Sequence, residues 1–168
     1  MKIRKSTLFL VCPTDFLESI INKEFKGDNL FYSSLGNNPS FCTNTVTNLE
    51  ELVINNNIKE IFFVLSTQNK IILHAMAGQS LSQIRGLENF DSYIKKNKEM
   101  SELFWNSNDT TRVIISYFIN QKIEQLKENF RSDINRLVNI KGKIFFKTEN
   151  KFLNIYSKFV CLNNLNLN

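Results

Sequence analysis

The sequence predicts an α/β domain with a mainly parallel central sheet, flanked by helices and completed by a C-terminal strand pair. Two unbroken apolar runs, residues 7–12 and 61–65, have the pattern of strands that are buried on both faces. Helical patterns separate the predicted strands, and this alternation is typical of parallel sheets with right-handed crossovers. The 168 residues suffice for a single domain, which we place at residues 1–162, with a frayed tail at residues 163–168.

The N-terminal half predicts strand, helix, strand, helix, strand. After the first run, Pro13 begins a turn, and Asp15 is placed to cap a helix with Glu18 as its capping-box partner. The apolar face of that helix would comprise Phe16, Leu17, Ile20 and Ile21. Residues 29–34 predict a second strand and residues 36–40 a loop. Thr47 or Asn48 is then placed to cap a helix over residues 49–55, before the strongest strand, at 61–65.

The C-terminal half predicts more helix and then the strand pair. A helix covers residues 71–76, and polar helical chain continues to about residue 105. From Thr110 or Thr111 a long helix repeats apolar residues at three- and four-residue steps: Ile115, Ile119, Ile123, Leu126, Phe130, Ile134 and Leu137. We expect this face to pack on the domain's own sheet, with a share in a dimer interface as the alternative. Residues 143–147 and 153–160 predict two strands joined by a turn at 148–150.

Composition and cysteine usage exclude several classes of protein. Hydrophobic residues make up 42% and charged residues 22%, which is the balance of a globular protein and not of a disordered or fibrous one. The three cysteines, Cys12, Cys42 and Cys161, are odd in number and far apart, so we expect no disulfide framework and a cytoplasmic location. No segment approaches the ~20 apolar residues of a membrane-spanning helix. The apolar run before Cys12 is too short for a signal peptide.

The formal net charge of +5 raises the question of an anionic partner. The excess lies between Lys122 and Lys158, where nine basic residues stand against four acidic ones. Lys122 and Lys127 alternate with Glu124 and Glu128, which is typical of a solvated helix face. Because no RNA- or DNA-binding motif accompanies the charge, we expect no nucleic-acid partner.

Polar side chains follow both buried strands and form the candidate ligand-binding site. The residues are Cys12, Thr14 and Asp15 after the first strand, and Ser66, Thr67 and Asn69 after the later one. Ligands of parallel α/β sheets bind beyond the carboxyl ends of the strands, so the two turns would form one pocket if the strands are neighbours. Free backbone N–H groups there could bind a small anion. The alternative is that Ser66 or Thr67 simply caps the following helix.

The order of these elements resembles that of the β-class carbonic anhydrases across most of the chain. That family has Cys-x-Asp-x-Arg after its first buried strand, and Cys12 ends the corresponding strand here. A Gly-Asn loop follows the family's second strand, as Gly36-Asn37 does here, and Asn48-Leu49-Glu50 stands where the family has Ser-x-Glu. The family's third buried strand ends in His-x-x-Cys, at the position of residues 66–69.

The resemblance implies a zinc site of two cysteines and one histidine, and most of that set is missing here. Cys12 matches the first cysteine, but Ser66 replaces the histidine and Asn69 replaces the second cysteine. Neither a serine nor an asparagine is a good zinc ligand, so we expect no metal and no other cofactor. Thr14 and Phe16 replace the Asp and Arg of the first motif, and the nearest carboxylate, Asp15, is displaced by one residue.

Other residues do not rebuild the set. The sole imidazole, His74, lies five residues beyond Asn69, which on a helix turns it about 140° away. Cys42 lies in the loop after the second strand, where a thiol without a chemical role is the simpler expectation. A Cys–His nucleophile pair would need His74 beside Cys12, and nothing in the sequence places it there. No glycine-rich phosphate-binding motif is present.

The sequence is compatible with three functions. The first is a non-catalytic carbonic-anhydrase-like protein that has lost its zinc site and acts by binding a partner subunit or a small ligand or anion. The alternative is a divergent zinc-dependent lyase, or a hydrolase, that uses Cys12 as a metal ligand or nucleophile. Nucleic-acid binding is the third and rests on the charge alone. The resemblance also implies a homodimer.

Overall fold

The central element of the fold is a sheet of five strands. The computed structural model describes residues 6–102 and 107–157. Its strands are β1 (Ser6–Val11), β2 (Asp28–Ser33), β3 (Ile58–Ser66), β4 (Asn139–Phe146) and β5 (Lys151–Asn154). They lie in the order β2, β1, β3, β4, β5, with β4 and β5 antiparallel and every other neighbouring pair parallel. The predicted fold class, including the C-terminal strand pair, is confirmed.

Helices connect the strands and cover both faces of the sheet. Those of the described residues are α1 (Glu18–Glu24), α2 (Thr43–Asn55), α3 (Lys70–Met76), α4 (Phe90–Glu102), α5 (Ser107–Asn129) and α6 (Ser132–Leu137). Two short 3₁₀ turns, Pro13–Asp15 and Leu35–Asn37, follow β1 and β2 directly. Both turns therefore lie at the carboxyl ends of parallel strands, which is the edge where the sequence predicts the site.

The hydrophobic core has two parts because β1 and β3 are buried on both faces. Leu8, Leu10 and Phe63 point to the larger part, which also contains the apolar residues of α2 to α6. Phe9 and Val64 point to the smaller part, beneath α1. The five named side chains of β1 and β3 have no exposed surface. The continuous apolar runs in the sequence reflect this double burial.

The apolar face of α5 packs within the chain, as expected. Ile115, Ile119 and Leu126 are fully buried in the larger core. Gly142 of β4 lies directly beneath this helix, and a Cβ there would come within 2.5 Å of Ile119 Cγ2. Close packing of α5 on the sheet thus depends on the missing side chain at residue 142.

The prediction of a capping box at Asp15 is wrong. Residues 13–15 form a separate 3₁₀ turn, which ends at Phe16 in the left-handed conformation with φ of 54°. Helix α1 begins only at Glu18, and its N-cap, Leu17, makes no side-chain capping bond. Phe16 is 76% exposed and does not belong to the apolar face of the helix. The Asp15 carboxylate has a different partner, far away in the sequence, as described below.

Other boundaries also differ. Helix α2 begins at Thr43, not at Thr47 or Asn48, and α5 is already helical at Ser107. The long predicted helix breaks before α6, since the backbone N–H of Arg131 donates to Glu50 Oε1 at 2.8 Å instead of continuing the helix. Strand β5 lies at 151–154, and residues 158–168, including Cys161 and the predicted frayed tail, lie outside the described residues.

The described helices include none that combines the length and the apolar character needed to cross a bilayer. Some basic side chains of the C-terminal third form surface pairs, on the predicted solvated face of α5 and on β4. Lys127 pairs with Glu124 at 3.7 Å, and Lys141 pairs with Glu60 at 2.8 Å. Such exposed pairs contribute little to stability.

Candidate functional site

The two predicted turns meet at the carboxyl ends of β1 and β3. Because these strands are direct neighbours, Asp15 reaches the turn after β3. Its Oδ2 accepts a hydrogen bond from the backbone N–H of Ser66 at 2.9 Å, and its Oδ1 accepts one from Asn69 Nδ2, also at 2.9 Å. We call the six residues Cys12, Thr14, Asp15, Ser66, Thr67 and Asn69 the turn site.

Cys12 begins the network on the β1 side. Its thiol is completely buried. The Sγ atom lies 3.1 Å from Thr14 Oγ1 and accepts a hydrogen bond from the backbone N–H of Gly36 at 3.2 Å. Thr14 Oγ1 in turn accepts a long hydrogen bond of 3.5 Å from Asn69 Nδ2. The thiol is therefore engaged inside the protein and presents no surface to solvent.

Asn69 has a fixed orientation because both ends of its amide are used. Its Oδ1 accepts from the backbone N–H of Ile72 at 3.0 Å and so caps α3. This leaves Nδ2 to point at Asp15 and Thr14. The helix cap is thus Asn69, and the expectation of Ser66 or Thr67 as the cap is wrong.

Ser66 and Thr67 belong to the turn in different ways. Ser66 is buried, and its Oγ accepts from the backbone N–H of Gln68 at 3.1 Å. Thr67 is directed to β4, where its backbone N–H donates to the carbonyl oxygen of Phe145 at 3.0 Å. The structure therefore brings five of the six residues into one network and leaves Thr67 beside it.

Burial controls the charge of the site. Loss of solvent around the carboxyl group raises the pKa of Asp15 from 3.8 to about 6, although the hydrogen bonds from Ser66 and Asn69 and the positive charge of Lys147 act in the opposite direction. Above pH 6 the turn site therefore carries a partly buried negative charge. Below that pH the carboxyl group is neutral.

The sequence predicts a loop at residues 36–40, with Gly36-Asn37 as part of the resemblance, but it indicates no site role for Asn37. This side chain is fully buried, and its Nδ2 donates to the carbonyl oxygens of Leu10 at 2.8 Å and Val64 at 3.0 Å. It therefore joins the ends of β1 and β3 directly behind the turn site. The sequence signal for Asn37 is its position after a glycine at the end of a strand, in a loop that is part of the resemblance.

Two residues considered as ligands lie elsewhere. His74 is exposed in the last turn of α3. Cys42 is an exposed free thiol at the N-cap of α2, with Thr45 Oγ1 at 3.4 Å. Hydrogen bonds to Thr45 lower the pKa of the Cys42 thiol. Neither residue takes part in the network.

Comparisons with known proteins identify the fold. The chain is similar to a tetrameric β-carbonic anhydrase of the fungus Sordaria macrospora, with a TM-score of 0.69, 16% identity and coverage of 92% of this chain and 82% of the other. It is also similar to the β-carbonic anhydrase CafD of Aspergillus fumigatus, with a TM-score of 0.68, 12% identity and 90% coverage of each chain. A third similar structure is a β-carbonic anhydrase of Coccomyxa in complex with acetazolamide. Its TM-score is 0.63 and its identity 13%, with coverage of 92% of this chain and 73% of the other.

These similarities define the class of fold. The chain has the β-carbonic anhydrase fold, as the order of its elements indicated. No protein-family model and no curated protein sequence matches it. At such low identity the likeness concerns architecture, and the chemistry has to be argued from the side chains.

The side chains of the turn site do not fit the zinc ion that the fold implies. No group of three His, Cys, Asp or Glu residues suited to a metal occurs within residues 6–102 and 107–157. Asn69 presents an amide N–H₂, not a lone pair, because its oxygen caps α3. The Asp15 carboxylate is already occupied by two N–H donors. One buried thiol and one carboxylate that already accepts two hydrogen bonds are fewer than the three protein ligands of a catalytic zinc site.

Proposed function

We propose that this protein is a non-catalytic member of the β-carbonic anhydrase fold, which has lost its zinc site and acts by binding. The observation that carries the proposal is the pair of hydrogen bonds that the Asp15 carboxylate accepts from Ser66 N and Asn69 Nδ2. According to the resemblance, zinc would join the end of β1 to the turn after β3. Here an internal carboxylate makes that connection with ordinary hydrogen bonds.

Adding a metal to this arrangement would be costly. Zinc that replaced the N–H donors at Asp15 would leave the backbone N–H of Ser66 without a partner, at a cost of about 1–3 kcal/mol. Asn69 would also have to turn its oxygen inward and lose the cap of α3, at a further cost of about 1 kcal/mol. The hydrogen bonds of the network therefore replace the metal, and the network is not an empty metal site.

One exposed aromatic side chain and the charge of Asp15 support a protein partner more than a small anion. Phe16 directly follows Asp15 and exposes 76% of its surface, although large aromatic side chains are usually buried. A small anion would meet the negative charge of Asp15 above pH 6. We therefore favour a partner subunit, with a small neutral ligand as the second choice.

We propose a second copy of this chain as that subunit. The similar protein of Sordaria macrospora is tetrameric, so the fold supports association of like chains. Sedimentation of the wild-type protein and of Phe16→Ser over a range of concentrations tests this. We expect a dimer that the substitution weakens by about tenfold or more. A wild-type protein that stays monomeric at every concentration contradicts the proposal of self-association.

The alternative of a lyase or hydrolase that uses Cys12 has less support. The thiol is fully buried and accepts a hydrogen bond from Gly36, whereas reactive cysteines are partly exposed and lie beside a base or a positive charge. The imidazole of His74 is on the outer surface of α3. Cys12 therefore has the surroundings of a structural residue.

The rate of carbon dioxide hydration in the presence of added zinc tests the proposed function. We expect the wild-type protein and Cys12→Ser to give the same rate as buffer that contains zinc alone. Cys12→Ser is the matched control because it removes the one side chain that retains a family ligand type. A rate enhancement that the wild-type protein shows and Cys12→Ser loses would establish the enzyme alternative.

A further inference from the structure

A polar cleft lies beside the 3₁₀ turn Leu35–Asn37, between α5, the start of α4 and two loops. It encloses about 310 Å³ and extends into a neighbouring depression of about 500 Å³. Asn38 Nδ2 donates to the carbonyl oxygen of Gly86 at 2.8 Å and thereby joins the two loops. None of the six turn-site residues lines this cleft, so it is a separate feature of the molecule.

Lys122 is the positively charged residue of the cleft. The sequence pattern predicts it on a solvated helix face, but its ammonium group lies 5.9 Å from the ring centre of Phe41 and 5.5 Å from that of Phe118. Its hydrogen bond goes to a neutral group, Gln125 Oε1, at 3.1 Å. Among the described residues it forms no ion pair, in contrast to Lys127 on the same helix. Burial lowers the pKa of Lys122 to about 8.

Amide and aromatic groups surround this cation. Because Gln125 Oε1 accepts from Lys122, its Nε2 is left to donate to a ligand, and Gln121 and Asn89 also line the cleft. The rings of Phe118 and Phe90 pack edge-on beneath the cleft, with centres 5.2 Å apart, and are almost fully buried. The partly exposed rings of Phe41 and Tyr93 line the cleft and give it an apolar surface.

One carboxylate, that of Glu88, also lines the cleft. It accepts a hydrogen bond from the backbone N–H of Gly86 at 2.9 Å. That bond uses the carboxylate within its own loop, and Glu88 makes no ion pair with Lys122.

A cation that is half removed from water and forms no ion pair is stabilised by an anion that binds directly to it. An amide N–H beside the ammonium suits the second oxygen of a carboxylate, and the aromatic wall suits an apolar body. We propose that this cleft binds a small organic carboxylate with a flat apolar group, whose carboxylate pairs with Lys122. This site is independent of the turn site and of the proposed loss of zinc.

Calorimetric titration with sodium benzoate, at constant ionic strength, tests the proposal. We expect binding to the wild-type protein, a loss of about tenfold or more in affinity for Lys122→Met, and no change for Lys127→Met. Lys127→Met is the matched control because it removes a cation from the same helix outside the cleft. Acetate should bind more weakly than benzoate, since it lacks the group that contacts the rings.

Three outcomes would overturn the proposal. The first is a wild-type protein that does not bind benzoate at concentrations of about 10 mM. The second is equal affinity for benzoate in the wild type and in Lys122→Met. The third is tighter binding of benzylammonium than of benzoate. The last result would assign the recognition to Glu88. Circular dichroism of Lys122→Met shows whether the variant is folded, and a chemical-shift change at Gln125 on adding benzoate to the wild-type protein gives an independent readout.

Discussion

The carboxylate of Asp15 accepts a hydrogen bond at 2.9 Å from the backbone N–H of Ser66, a residue 51 positions further along the chain. The bond joins the turns after β1 and β3, and Asn69 strengthens the connection through its amide. A buried carboxylate between two strand ends is both a structural link and a titratable group. Stability and pH dependence of the fold should therefore report on this link.

The first prediction concerns the pH dependence of stability. The pKa of Asp15 rises from 3.8 in the unfolded chain to about 6 in the folded one, so the folded state binds the proton more tightly. Its contribution is therefore fully present below about pH 4 and is lost as the pH rises through about 6. Between pH 4 and pH 7.5 the free energy of unfolding, measured with denaturant, should fall by about 2.4 kcal/mol more for the wild-type protein than for Asp15→Ala. Parallel pH profiles would disprove the raised pKa.

Asn69 gives a second, charge-based test. Asn69→Asp keeps an oxygen to cap α3 but places a second carboxylate beside Asp15, and two such charges repel each other when both are ionised. We expect the free energy of unfolding of this variant to fall by about 2 kcal/mol or more between pH 5 and pH 8. In the control, Asn69→Ala, removal of the cap should lower the free energy of unfolding by about 1–2 kcal/mol. This loss should depend less on pH than the loss in Asn69→Asp. Equal behaviour of the two variants would contradict the contact with Asp15.

The third prediction concerns the packing of α5 on β4. A Cβ at Gly142 would lie 2.5 Å from Ile119 Cγ2 and 2.6 Å from Ile155 Cδ1, so Gly142→Ala should lower the free energy of unfolding by about 1–3 kcal/mol. Ile119→Ala removes one of the clashing atoms. The double variant should therefore be less destabilised than the sum of the single variants. Strict additivity would mean that α5 does not approach the strand this closely.

Phe16 provides the fourth prediction. Its backbone is left-handed and its ring is exposed, a combination that favours glycine. Phe16→Gly should raise the free energy of unfolding of the monomer by about 0.5–1 kcal/mol, whereas Phe16→Ala, which keeps the Cβ atom, should not. Stabilisation together with weaker self-association would identify Phe16 as a residue retained for binding. Stabilisation by both variants alike would exclude backbone strain as the cause.

The strands could be predicted from the sequence, and several helix boundaries could not. Residues 7–12 and 61–65 are apolar without interruption, and double burial in a parallel sheet follows from that pattern. The helix break before α6 depends on Glu50, which is 81 residues away from Arg131. Local patterns contain no sign of such a partner, so the sequence predicts one continuous helix.

The candidate site could also be predicted only in part, because local patterns do not show distant partners. Placing polar residues after neighbouring strands was enough to predict that the two turns meet. Asp15, however, has the local pattern of a helix cap, and its tertiary partner Ser66 overrides that pattern. The cap of α3 is Asn69, three residues beyond Ser66, since the turn after β3 continues before the helix begins. The buried role of Asn37 depends on contacts with two strands at once.

Zinc content tests the central claim most directly. The wild-type protein and the double variant Ser66→His/Asn69→Cys, which completes a Cys–His–Cys set with Cys12, are equilibrated with zinc, desalted and analysed by elemental mass spectrometry. We expect less than about a tenth of an equivalent in the wild type and about one zinc per chain in the folded double variant. About one tightly held zinc per wild-type chain would contradict the claim that the hydrogen bonds of Asp15 have replaced the metal.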